Sequence, residues 1–189
     1  AVRSVQLFAA AAARKGQLQS LNELSFEQGY PCAGFPVWPT EGSQPASPAM
    51  ADDVRYLGTW LPGDGTRQLP PSTGALIRPG ATIILQIDYD TTQVAPVPDI
   101  TSVEVEITSS VPYPVVMVPL TDLAWLSAQP SAVIPPEGDE VTLSVSREVS
   151  TQLLPFYGAR AGLDSASNPH VHAVLPVMGP QGKQGVVWV

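Results

Sequence analysis

YLGTWLPGDGTRQLPPSTGALIRPGATIILQIDY, residues Tyr56 to Tyr89, carries the clearest structural signals in this chain. Tyr56 to Leu61 is a short apolar run. Pro62-Gly63-Asp64-Gly65 ends it in a turn, because proline presets φ and glycine accepts the positive φ that other residues resist. Pro70-Pro71 and Pro79-Gly80 punctuate the residues between this turn and Ala81. Ala81 to Tyr89 is rich in branched residues and predicts a strand with a buried surface. Side chains alternate along a strand, so Gln86 and Asp88 share one of its faces. A carboxylate at the end of a core strand is the feature to explain.

Outward from this stretch, the chain has the composition of a β protein. Of its 189 residues, 21 are proline and 15 glycine, which disfavours long helices. The prolines lie between apolar runs and read as turns and edges rather than as disorder. Only 14% of residues are charged. A weakly charged, turn-rich chain of this length predicts β-sandwich architecture, with a core large enough for one large or two small domains. Nine Lys and Arg against 17 Asp and Glu give a net charge of −8, without a basic cluster. That argues against partners of the nucleic-acid or anionic-membrane kind. No apolar run reaches the roughly 18 residues of a transmembrane helix. The first residues are Ala-Val-Arg-Ser, and Arg14-Lys15 come after rather than before the apolar Leu7 to Ala13. A processed chain or an internal fragment is expected rather than a signal peptide. The single cysteine, Cys32, has no partner within the sequence, so it is either a buried thiol or is bridged to another segment.

Several further elements are expected. Val2 to Phe8 reads as a strand. Ala9 to Leu24 is ambiguous: its alanines favour helix, while Gly16 and the lack of a sustained helical period favour a loop or a short helical turn. Ile100 to Ser109 alternates, with Val103, Val105 and Ile107 predicted inward. Glu140 to Val149 does the same through Val141, Leu143 and Val145. Leu153 to Leu163, His170 to Pro176 and Gly185 to Val189 are further candidate strands. Leu120 to Pro130 is a candidate helical turn around Trp125, and Ser43 to Met50 a surface loop. Trp38, Trp60, Trp125 and Trp188 read as core or interface anchors.

In this order the segments resemble one family, the copper type II, ascorbate-dependent monooxygenases, whose animal members hydroxylate peptidylglycine and dopamine. Residues 60–64, WLPGD, and 69–89, LPPSTGALIRPGATIILQIDY, resemble a Trp-x-Pro-Gly turn, a glycine-rich turn, and an apolar strand ending in Gln-x-His-Tyr. VRSVQLFAA at the start resembles the strand bearing a His-His pair, and GYPCAG the Tyr-x-Cys-x-Gly loop whose cysteine is normally bridged. IPPEGD resembles the turn opening the second domain, and AVLPVMGPQG the segment with a His-Met-His motif. The resemblance implies an all-β fold of two jelly-roll-like antiparallel β-sandwich domains, at 1–112 and 113–189. The second is expected to continue past Val189.

The same resemblance argues against the family's activity. Its His-His pair falls on Arg3 and Ser4, the His of Gln-x-His-Tyr on Asp88, and the two outer positions of His-Met-His on Val177 and Gly179, with Met178 between them. Copper of this type takes imidazole and thioether ligands. Arg3 is permanently cationic, and one carboxylate cannot replace three imidazoles. A rival alignment places His-x-His on His170-Val171-His172. Two imidazoles two residues apart on a strand share a face, yet a pair supplies too few ligands for a tight site, and two half-exposed histidines at a strand start is the plainer reading. No catalytic or cofactor-binding residue is assigned, and His170, His172 and Asp88 are the candidate metal ligands.

The expected function is that of a non-catalytic, monooxygenase-like β-sandwich protein, secreted, periplasmic or otherwise in the cell envelope. Its role would be structural or interactive, with other protein subunits as partners and no cofactor. The alternative is a divergent copper monooxygenase using His170 and His172. A third reading is a binding module whose former cleft holds a ligand. No Gly-x-Ser-x-Gly elbow, calcium loop or phosphate loop competes with these.

Overall fold

A computed structural model describes residues 2–25, 29–30, 54–90, 92, 100–118, 141–142, 144–148, 170–174 and 184–187. Among these the architecture is mostly strand with one short α-helix. Strand β1 is Val2–Ala10, a 3-10 turn spans Ala12–Arg14, and helix α1 is Lys15–Leu24. Strands β2 (Val54–Trp60), β3 (Thr73–Ala75), β4 (Thr82–Tyr89) and β5 (Tyr113–Val115) come next. The main sheet is antiparallel, in the order β2-β1-β4. A separate parallel pair joins β3 to β5 and so spans the expected boundary between residues 112 and 113.

The central strand is β1, and β4 is an outer strand of this sheet. That corrects the expectation of a core strand at Ala81 to Tyr89: Ile83 is 45% exposed, and Asp88 and Tyr89 are also exposed. Asp88 therefore faces solvent rather than a core. The most buried positions lie on β1 instead, where Phe8 and Ala10 are fully enclosed. Register places Phe8 between Tyr56 and Ile84, and Ala10 between Val54 and Thr82. Residues facing each other across an antiparallel ladder share one face of the sheet. Helix α1 covers that face through Leu18, with Leu21 packed alongside. Phe8 and Tyr56 meet edge to face with centroids 5.5 Å apart, a geometry aromatic quadrupoles prefer.

The ambiguous Ala9 to Leu24 segment divides in two. Ala9 and Ala10 belong to the strand, and the helix starts only at Lys15. Small side chains at the strand end let the helix sit close, so tertiary packing overrides the helical preference of alanine. Leu18 and Leu21 are spaced for one helical face, while Leu24, a further turn along, stays 80% exposed. Beyond the helix, the backbone N–H of Gly29 donates to the Asn22 side chain.

The three proline-marked turns share one design. Backbone N–H groups of Asp64, Thr73 and Ala81 donate to the carbonyls of Leu61, Pro70 and Arg78. Proline holds the second position of each turn, and Gly63 (φ +95°), Ser72 (φ +64°) and Gly80 (φ +74°) hold the third. These are the features of type II turns. The Asp64 carboxylate accepts from Leu61 N–H at 3.0 Å and from Arg67 at 2.6 Å, and Trp60 Nε1 donates to the Asp64 carbonyl. Trp60 is thus a partly exposed staple of its turn rather than a core anchor.

The other described strand candidates form no strand. Ile100 to Thr108 carries no strand assignment, and Val103, Val105 and Ile107 are exposed, not inward. Val141 is likewise exposed and Val145 half-buried outside any ladder, and the described parts of His170 to Pro176 and Gly185 to Val189 are exposed without strand pairing. Alternation marks which face a strand would bury, but a strand exists only where a neighbour completes its hydrogen bonds. Trp38, Leu120 to Pro130, Leu143, Leu153 to Leu163, Ser43 to Met50, Trp188 and Cys32 lie outside the described residues.

Candidate functional site

The start of β1 and the end of β4 bring together three positions that the sequence singles out. Ser4 pairs directly with Asp88, and Arg3 sits in a register irregularity between Val2 and Ser4. Such a bulge breaks strict alternation and re-aims a side chain. Arg3 reaches past the strand end to Asp90, with 3.1 Å between Nη2 and Oδ2. Ser4 is buried and Asp88 exposed. One row further along the ladder, Gln6 lies between Thr59 and Gln86. The face that is apolar around Phe8 therefore turns polar towards Ser4 and Asp88.

Asp90 is the organising group of this corner. Its Oδ1 accepts from the Thr92 hydroxyl at 2.6 Å and from the Thr92 backbone N–H at 2.9 Å. These two bonds, together with Arg3, hold its carboxyl well below the usual carboxylate range. Neither Asp90 nor Thr92 is among the residues expected from the sequence to form a site. The signal was nevertheless there, because Asp with Thr two residues later is the signature of an Asx-turn.

The donor set at this corner does not fit copper. A guanidinium has no lone pair to offer a metal, Ser4 presents a hydroxyl, and Asp88 is a single hard carboxylate, whereas copper sites of the resembled type rest on imidazole and thioether. No group of three or more His, Cys, Asp or Glu residues able to hold a metal ion occurs among the described residues. His170 and His172 are exposed and carry no strand assignment. Val177, Met178 and Gly179 lie outside the described residues. What the corner does chemically is to pair opposite charges and cap strand ends. No helix among the described residues is long and apolar enough to cross a membrane. Comparison with protein-family models, with curated proteins and with solved structures finds no match to this chain.

Proposed function

We propose that this chain is a non-catalytic protein of copper-monooxygenase type, with two jelly-roll-like β-sandwich domains and a structural or protein-interaction role in a secreted or envelope assembly. One observation carries the reading. The positions that the resemblance assigns to copper ligands on two distant segments, Ser4 and Asp88, are 84 residues apart in sequence (88 − 4) yet register neighbours on β1 and β4. Such placement is what a shared metal site would require, and a hydroxyl with one carboxylate is not the imidazole and thioether set that copper of the resembled type takes. Arg3, the third such position, is engaged with Asp90. The localisation and the second domain rest on the resemblance alone.

Metal analysis and oxygen uptake test the proposal. After incubation with copper and removal of excess, the protein should carry far less than one copper per chain and consume no oxygen with ascorbate. Stoichiometric copper that disappears in a His172→Ala variant would overturn the non-catalytic reading in favour of the divergent enzyme. For the interaction role, purification from its native source should recover the protein in a complex of defined stoichiometry. Recovery as a monomer alone would count against it.

A further inference from the structure

We draw no further inference here: the strongest candidate, the apolar face of the main sheet bearing Val5, Ile83, Leu85, Ile87 and Trp60, carries nothing because the structure does not show what covers its exposed members.

Discussion

Ser4 on β1 stands directly opposite Asp88 on β4, one buried and the other exposed. Cross-strand neighbours of this kind have Cβ atoms about 4.5–5.5 Å apart. Two imidazoles on such a pair can converge on one ion. The variant Ser4→His/Asp88→His should therefore bind Cu²⁺ at roughly micromolar concentration, detectable by calorimetry, where the parent chain does not. Equal, negligible binding by both proteins would show that these positions do not face a common point, and would remove the main support for the proposed function.

Asp90 links stability to pH. Its carboxyl is more acidic in the folded protein than the value of about 3.9 expected for an unfolded chain. The folded state therefore gains from its ionisation above that unfolded value, and the gain is lost as pH falls through the depressed folded range. Urea midpoints of Asp90→Asn should lie below those of the parent at pH 6, and the gap should narrow steadily as pH falls below about 4. The part of the difference due to the half-exposed Arg3 should shrink in about 1 M salt, where screening acts over roughly 3 Å. A gap that is constant across pH would contradict this account.

The turns predict opposite effects of glycine. Ser72 is a non-glycine residue at positive φ, a conformation that costs an L residue roughly 1–2 kcal/mol. Part of that is offset by the greater unfolded-state freedom of glycine, roughly 0.5–1 kcal/mol. Ser72→Gly should stabilise by about 0.5 kcal/mol in denaturant titrations. Gly80→Ala should destabilise by about 1–2 kcal/mol, because φ is positive there and the added Cβ would lie 3.3 Å from the Ala12 Cβ.

Removing the core contacts should cost far more. Phe8 is fully buried between Tyr56 and Ile84 under α1. Phe8→Ala should lose about 3–5 kcal/mol and Leu18→Ala about 2–5 kcal/mol. Leu24→Ala, at a side chain 80% exposed, should stay within about 0.5 kcal/mol of the parent. Thermal melts monitored by circular dichroism distinguish the three. If Leu24→Ala matched Leu18→Ala, the helix would be packed on a different face.

Local chemistry was legible in the residues themselves. Proline at the second turn position and glycine at the third specify the backbone with no help from distant parts of the chain, so the turns at Pro62-Gly63 and Pro79-Gly80 form where they are expected. The strands at Val2–Ala10, Val54–Trp60 and Thr82–Tyr89 arise from apolar and branched runs between such turns. The candidate corner was legible only in part. Arg3, Ser4 and Asp88 stood out through a resemblance, while Asp90 and Thr92, which hold it together, did not.

Pairing lay beyond any local signal. That β1 takes the centre of the sheet, that β4 is its outer neighbour, and that Ser4 meets Asp88 are outcomes of long-range hydrogen bonding and of the helix covering Phe8. The alternating run from Ile100 shows the same limit from the other side: a regular pattern takes no strand assignment among the described residues and leaves its valines exposed. Alternation states which face a strand offers. Whether that face is buried depends on a neighbour supplied from elsewhere in the chain, because backbone groups and apolar side chains leave water only when another element replaces it.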